Sequence, residues 1–187
     1  ATKYKPNEIN YMKRYAKEGW ATIEATDFTR FRWFGVYQQR PKTDPYFMLR
    51  IKIPAGNVNS KQLRAVAEVA RDYGRGIADI TTRQTFQFHW LTIENLPGIL
   101  EKFESVGITS RGACGDIGRN ITSAPLAGLE ADEVDDVTGV IRELTDVLHK
   151  NPAYTNLPRK YKISISGSLR NTGQPEINCI GIYGFWK

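Results

Sequence analysis

The sequence predicts an α+β fold in which helices cover one face of an antiparallel sheet. Two observations favour this class. The hydrophobic period switches repeatedly between the strand value of two and the helical value of about 3.6. The segments also follow the order strand, strand, helix, strand, helix over roughly the first 108 residues. A chain of 187 residues is long enough for one domain or for two small ones.

The first two strands are predicted in segments rich in aromatic and aliphatic residues. "RFRWFGVYQQR" spans residues 30–40, and "YFMLRIKIP" at 46–54 follows the turn "PKTDP". In the second segment Leu49, Ile51 and Ile53 fall on one face, because successive strand side chains alternate. Arg50 and Lys52 therefore share the opposite face.

A third strand is predicted over residues 80–90, "ITTRQTFQFHW", which alternates almost strictly. Phe86, Phe88 and Trp90 fall on one side. The other side carries a row of hydrogen-bonding side chains with a cation among them, namely Thr81, Arg83, Thr85, Gln87 and His89.

Two helices are predicted around this strand. The first begins at Ser60 as its N-cap and stops at Gly74. The second, "NLPGILEKFESVG", has Asn95 as its cap, Pro97 in the first turn and Gly107 at its end.

The rest of the chain begins with a glycine-rich stretch at 111–128, which has little periodicity. A helix is predicted over about 131–150, followed by strands at 160–166 and 176–186. In the first of these strands Lys160, Lys162 and two serines fall opposite the apolar residues. We expect a domain boundary near residue 110, giving domains at 1–110 and 111–187.

The composition favours an anionic partner, because the net charge is +6 and the isoelectric point is near 9.3. We expect a cytoplasmic protein, since the sequence has neither a long apolar run nor a signal-peptide core. Cys114 and Cys179 are far apart and form no CxxC pair, so this chain alone is expected to assemble neither a zinc site nor an iron–sulfur cluster.

The cations of three predicted strands share one arrangement, with apolar residues on one face and Arg or Lys on the other. Solvated strand faces are the commonest cause of such a pattern. However, these rows hold no acidic residue, which favours a convergent cationic site instead. Arg50, Arg83, Lys160 and Lys162 would then need a strongly anionic ligand, and one with many carboxylates suits them. Arg119, in the glycine-flanked "GDIGRN", adds a fifth cation.

The remaining chemically active side chains have structural interpretations of at least equal weight. His89 is interpreted as a hydrogen-bonded structural histidine, because no second His or acidic residue is spaced to complete a metal site. His149 lies near a predicted helix C-terminus and complements the helix dipole. Cys114 is either a buried filler or a thiol that lines a site.

Five ordered motifs resemble the N-terminal half of ferredoxin-dependent nitrite and sulfite reductases, at the spacing of that family. They are "RFRWFGVYQQ", "FMLRIKIPAG", "ITTRQTFQFH", "ACGDIGRNIT" and "NLPRKYKISISG", and the resemblance runs from about residue 19 to about residue 182. It implies a ferredoxin-like half-domain followed by the first part of a siroheme-binding α+β domain.

The resemblance also implies an enzyme that reduces sulfite to sulfide, or nitrite to ammonia, on a siroheme coupled to a [4Fe-4S] cluster. Siroheme carries many carboxylates and so fits the cationic rows. The resemblance assigns the catalytic anion-binding roles to Arg50, Arg119, Lys160 and Lys162. It assigns cofactor binding to Arg83, Gln87, Thr81, Asn120 and Arg159.

Sulfite is favoured over nitrite on one position, because sulfite reductases resemble this chain in carrying a lysine where Lys162 stands. The cluster ligands of the family lie in a second half, so residues outside this chain would supply the [4Fe-4S] cluster. The expected partners are sulfite or nitrite, ferredoxin or another electron donor, and that second half or a partner subunit.

Two other interpretations stay open. A basic, aromatic sheet can bind single-stranded RNA, although that mode needs aromatics on the cationic face. A non-catalytic half that docks a partner, such as acidic ferredoxin, would also explain the charge.

Overall fold

The computed structural model describes residues 9–155 and 157–186. Tertiary contacts divide them into two compact units, each built from separate segments. The first contains residues 9–52, 58–81 and 85–115, and the second contains 53–57, 82–84, 116–155 and 157–186. The predicted boundary near residue 110 stays a prediction.

The first unit is built on a four-stranded antiparallel sheet with the strand order β1-β2-β4-β3. Its strands are β1 (Val36–Gln38), β2 (Phe47–Arg50), β3 (Asp79–Ile80) and β4 (Phe86–Leu91). The combination of this sheet with helices confirms the predicted α+β class.

The α-helices found among the described residues of the first unit are α1 (Ile9–Glu18), α2 (Ala25–Phe31), α3 (Ser60–Tyr73) and α4 (Leu96–Ser105). Helices α1 and α3 both contact α4, and α3 contacts β4. The rings of Phe88 on β4 and Phe103 on α4 are 5.5 Å apart. The predicted apolar face of the second segment is confirmed, because Leu49, Ile51 and Ile53 are all at most 3% exposed.

The predicted helix signals are largely confirmed, with one shift at a cap. Asn59, not Ser60, is the N-cap of α3, and it forms a reciprocal capping box with Gln62. Gly74 ends this helix as predicted. Asn95 is the N-cap residue of α4, but its side chain forms no capping bond.

The prediction of a strand over residues 30–40 is wrong for most of its length. The segment begins at the end of α2, continues as a 3-10 turn (Arg32–Phe34), and becomes extended only in β1. Phe31 and Phe34 are both 2% exposed. The aromatic residues of this segment are therefore explained by core packing and not by strand formation. Gly35 then reverses the chain with a φ of 75°.

The prediction of one strand over residues 80–90 is also wrong, because β3 and β4 pair as two antiparallel strands joined by a turn. Thr81 N–H donates to Thr85 O across this turn. Gln84 has a φ of 52°, and its side-chain amide bonds both the N–H and the carbonyl of Ser123. These non-local bonds stabilise a left-handed residue that alternation alone does not predict.

The second unit contains α5 (Thr138–Lys150) and two parallel strands, β5 (Ile163–Ser166) and β6 (Ile180–Tyr183). Its buried core contains one alanine and four isoleucines: Ala55, Ile121, Ile141, Ile163 and Ile165. Ser164 and Ser166 are fully buried, so the row predicted to contain them with Lys160 and Lys162 is not a solvated face at these two positions.

Helix α5 begins seven residues later than predicted, because other bonds hold the preceding segment. Val134 N–H donates to Gly167 O, and Glu133 accepts a bond from Gly128 N–H. Asp136 then accepts bonds from both the N–H and the hydroxyl of Thr138, which starts the helix.

Candidate functional site

In the first unit, strand pairing joins two of the predicted site residues. Arg50 on β2 lies directly opposite Gln87 on β4. The Arg50 Nε–H donates to Gln87 Oε1 at 2.6 Å. This is the only hydrogen bond of the Arg50 guanidinium among the residues that the structure describes. Its terminal nitrogens are therefore able to bind an anion while Gln87 fixes the side chain.

His89 extends this pair along the same face of β4. Its Nε2 lies 2.6 Å from Gln87 Nε2, and its Nδ1 lies 3.2 Å from Gln39 Oε1. Asp79, which pairs with Gln87 from β3, places a carboxylate oxygen 3.3 Å from His89 Nε2. The structural interpretation of His89 is consistent with these bonds, but the sheet face does hold an acid next to the cationic row.

In the second unit, Asn120 is a buried bridge that is only 3% exposed. Its Oδ1 accepts from Ile53 N–H at 3.0 Å. Its Nδ2 donates to Ile53 O at 2.7 Å and to Arg83 O at 2.8 Å. Asn120 thus joins three separated segments of the chain, and this explains why an amide, with both donor and acceptor, occupies the position.

Arg83 also bonds neutral oxygens within the second unit. Its terminal nitrogens donate to Asn178 Oδ1, to Asn120 O and to Ile163 O. Burial, followed by repulsion from Arg119, lowers the pKa of Arg83 to about 10. The side chain remains charged at neutral pH, so two guanidinium groups lie close together here.

Backbone pairing brings three of the predicted anion-binding residues to one face of the second unit. Gly118 pairs with Tyr161 in a parallel bridge. In such a pair the flanking residues point to the face opposite the paired ones. Arg119 therefore shares a face with Lys160 and Lys162.

The two lysines of this face and the neighbouring Arg159 are at least partly exposed. Lys160 and Arg159 are exposed, and Lys162 is half-buried. Lys162 N–H donates to Cys179 Sγ at 3.4 Å, and its carbonyl accepts from Ile180 N–H. The arrangement offers an oxyanion several positive donors that water can reach.

Sequence reasoning missed several residues that fix this geometry. Two of them, Gln39 and Asp79, contact His89, which in turn contacts the predicted site residue Gln87. The third, Asn178, accepts a bond from Arg83. All three lie outside the segments in which the site residues were predicted. Lys52, predicted to share a face with Arg50, is 5% exposed.

A cleft of about 230 Å³ lies in the first unit next to the bonds of His89. Arg75 places its guanidinium 5.3 Å from the Tyr46 ring centre and 4.9 Å from that of Trp90. Gln39 lines the cleft and accepts a bond from Trp90 N–H.

The described residues contain no cluster of three or more His, Cys, Asp or Glu side chains placed to hold a metal ion. Cys114 is buried and Cys179 is exposed. Within residues 9–155 and 157–186, no helix is long and apolar enough to cross a bilayer.

Two family models match most of the chain. The nitrite/sulfite reductase ferredoxin-like half domain matches residues 39–106, and the nitrite and sulphite reductase 4Fe-4S domain matches residues 114–187. The two matches are consecutive and do not overlap.

Similar proteins carry names of both reductase kinds. The chain is 40% identical to the assimilatory ferredoxin-dependent nitrite reductase of Haloferax mediterranei over 185 residues, covering 91% of this chain and 32% of that protein. It is 37% identical to a ferredoxin sulfite reductase of Mycobacterium tuberculosis over 186 residues, covering 91% and 33%. The solved structure of the Mycobacterium tuberculosis NirA protein matches with a TM-score of 0.77 and 35% identity, covering 86% of this chain and 33% of that one. The chain thus spans about a third of the length of the relatives that it matches.

Proposed function

The chain belongs to the nitrite and sulfite reductase family, and from this premise we propose that it forms the amino-terminal part of a siroheme-dependent sulfite reductase. The reaction is the six-electron reduction of sulfite to sulfide. The observation that carries the proposal is the shared face of Arg119, Lys160 and Lys162 in the second unit. Three cations on one face suit a small dianion better than they suit open solvent.

The residues of the second unit fit a polycarboxylate cofactor. Arg83 is held near Arg119, and the repulsion between them contributes to the lowered pKa of Arg83. A group rich in carboxylates would offset this repulsion. Arg159, exposed next to Lys160, adds a further donor for a carboxylate. Siroheme is such a group in this family, and Arg83, Arg159 and Asn120 are the residues of this unit that we assign to its binding.

The iron–sulfur cluster does not fit the described residues of this chain. A [4Fe-4S] cluster needs four ligands, usually cysteine thiolates. The chain has two cysteines, and Cys114 and Cys179 belong to different units. We therefore assign the cluster to residues outside this chain and derive no step through it.

When bound, siroheme supplies the iron at which the substrate is reduced. The residues of the chain supply charge and protons. Arg119 and the two lysines lower the free energy of an oxyanion next to them, because fixed positive charges need no reorganisation as the substrate changes. Lys160 and Lys162 can donate protons to the departing oxygens and recover them from water, since both side chains are at least partly exposed.

The proposal is tested by combining the chain with siroheme and with the remaining two thirds of the similar Mycobacterium tuberculosis sulfite reductase. We expect tetrapyrrole absorption bands to co-purify with the complex, and sulfide to form when methyl viologen supplies electrons. Lys162→Asn should lower kcat/KM for sulfite by roughly tenfold to a hundredfold, the equivalent of one lost charge-assisted hydrogen bond.

The matched control is Lys61→Asn, which changes an exposed lysine of α3 in the first unit. It should leave both absorption and activity unchanged. A complex that forms but holds no tetrapyrrole would contradict the proposal, and so would equal losses in the two variants. A complex that reduces sulfite no faster than buffer would instead favour a non-catalytic docking role.

Nitrite is the second candidate substrate, because two nitrite reductases are slightly more similar to the chain than the sulfite reductase is. They are 40% and 41% identical, against 37%. The same Lys162→Asn variant separates the two. If sulfite is the substrate, the variant loses activity on sulfite more than on nitrite, since a dianion gains more from the second ammonium.

A further inference from the structure

A continuous series of side-chain contacts crosses the sheet of the first unit and ends at Arg50. It runs from Arg50 to Gln87, from Gln87 to His89, and from His89 to Gln39, with heavy-atom distances of 2.6, 2.6 and 3.2 Å. Asp79 lies beside it, 3.3 Å from His89 Nε2.

The donors and acceptors of this series determine one tautomer of His89. Arg50 Nε can only donate, so Gln87 must present its carbonyl oxygen to Arg50. The amide nitrogen of Gln87 then donates to His89 Nε2, which must carry a lone pair. The proton of neutral His89 is therefore on Nδ1, where it donates to Gln39 Oε1.

Protonation of His89 is incompatible with this arrangement. With protons on both ring nitrogens, Nε2–H faces the NH₂ group of Gln87, and two donors are opposed. Asp79 is the carboxylate that can accept Nε2–H instead. With Nε2–H donated to Asp79, the NH₂ group of Gln87 loses its acceptor among these side chains. Gln87 is then held only through Arg50 and no longer fixes that guanidinium in one orientation.

The other groups around His89 do not change this outcome. The Trp90 ring, with its centre 5.6 Å from that of the imidazole, carries no ionisable group. Gln39 Oε1 accepts from Nδ1–H in either protonation state. Arg50 lies beyond Gln87 and repels the added charge, whereas Asp79 attracts it.

We propose that His89 is a positioning residue that holds Arg50 ready for an anion through Gln87 only while its imidazole is neutral and protonated on Nδ1. Uptake of a second proton moves His89 to Asp79 and releases Arg50. The step transfers one proton from solvent to Nε2 and breaks only hydrogen bonds. The link between Arg50 and substrate rests on the proposed function, but the bonds among the four side chains do not.

The test uses NMR of the chain itself without a cofactor, with nitrogen-15 labels on the His ring, the Gln amides and the Arg Nε. At about pH 8 the ring nitrogens of His89 should show the Nδ1–H tautomer, and Arg50 Nε–H should give a protected signal. When acidification adds the second proton to His89, that signal should be lost and the Gln87 amide signal should shift in the same step.

Three variants sharpen the result. His89→Gln retains an acceptor toward Gln87 but cannot titrate, so the Arg50 signal should persist at both pH values. His89→Lys presents a permanent cation at this position, so the signal should be absent at both. His149→Gln removes the only other histidine of the chain and should leave the wild-type response unchanged.

The inference is overturned if His89 is protonated on Nε2 at about pH 8. It is equally overturned if His89 titrates while the signals of Gln87 and Arg50 stay constant. In the reconstituted enzyme, His89→Lys should raise KM for sulfite by roughly tenfold at about pH 8. His89→Gln should keep the KM of the wild type. If the NMR response is present but the complex binds no tetrapyrrole, the proposed function fails and the positioning role stands.

Discussion

Replacing Asn120 by alanine should destabilise the second unit by about 2–4 kcal/mol. The side chain makes three hydrogen bonds, two to Ile53 and one to Arg83, and it is 3% exposed. A hydrogen bond contributes about 0.5–1.5 kcal/mol net, so three of them contribute about 1.5–4.5 kcal/mol, which brackets the stated range. The alanine variant leaves the Ile53 N–H and the carbonyls of Ile53 and Arg83 buried without the Asn120 side chain as their partner. We therefore expect a destabilisation in the upper half of this range.

Urea unfolding followed by circular dichroism measures this change, and the matched control is Asn57→Ala. Asn57 is exposed and lies in the same segment as Ile53, so its substitution should change the free energy of unfolding by less than about 0.5 kcal/mol. For a chain of this size, 3 kcal/mol corresponds to a decrease in Tm of roughly 6–12 °C.

Hydrogen exchange gives a second, local readout of the same bond. The Ile53 N–H donates to Asn120 Oδ1, so its exchange should accelerate in the variant beyond what the global loss of stability explains. A destabilisation below about 1 kcal/mol, or an Ile53 amide as protected as before, would refute the reasoning that Asn120 joins the segments through its amide.

Two further predictions concern the first unit. Gly35→Ala should lower the free energy of unfolding by at least about 1–2 kcal/mol in the same urea assay, because φ is 75° there and an added Cβ would meet the Arg50 carbonyl. A loss below about 0.5 kcal/mol would contradict this. Burial, followed by the hydrogen bond to Asp27, raises the pKa of Tyr15. Because the folded-state pKa is raised, stability from the neutral phenol is complete below the unfolded value near 10 and is lost as the pH rises through the folded value. Asp27→Asn should bring the pKa of Tyr15 closer to 10 in an absorbance titration of tyrosinate, and an unchanged titration would exclude Asp27 as a cause.

The sequence could predict features that depend on neighbours a few residues away. The buried face of β2 follows from alternation at Leu49 and Ile51, and both ends of α3 follow from polar and glycine signals within one residue of their true positions. These features are local because a strand face and a helix cap depend on backbone geometry within a few residues.

Features that depend on register or on distant segments could not be predicted. Asp79 lies ten residues before His89 and meets it only because the β3–β4 pairing places Asp79 opposite Gln87. The continuous alternation over residues 80–90 concealed the turn, because Gln84 is held in a left-handed conformation by Ser123, 39 residues later. A propensity pattern contains no information on such a bond.

Arg83 has one property that the sequence could predict, its charge, and one that it could not, its bonds to distant segments. These bonds determine how the role of Arg83 must be tested. The sequence indicated a cation for cofactor carboxylates, and a charge reversal to glutamate is the obvious test of that role. However, Arg83 donates to Asn178, Asn120 and Ile163, so Arg83→Glu removes these bonds of the unit together with the charge. Loss of cofactor in that variant would not separate binding from folding.

Arg83→Lys is the better test, because it keeps the charge while a single ammonium replaces the planar fork. We expect the free energy of unfolding to fall by about 1–3 kcal/mol, since one nitrogen cannot serve acceptors placed for two. If siroheme binding requires only the positive charge of residue 83, the Arg83→Lys variant should still bind the cofactor in the reconstituted complex. Its tetrapyrrole absorption, divided by the amount of folded protein, should then be within about twofold of the wild-type value. Full stability with complete loss of that absorption would mean that the guanidinium binds the cofactor directly and that its bonds within the unit contribute little to the fold.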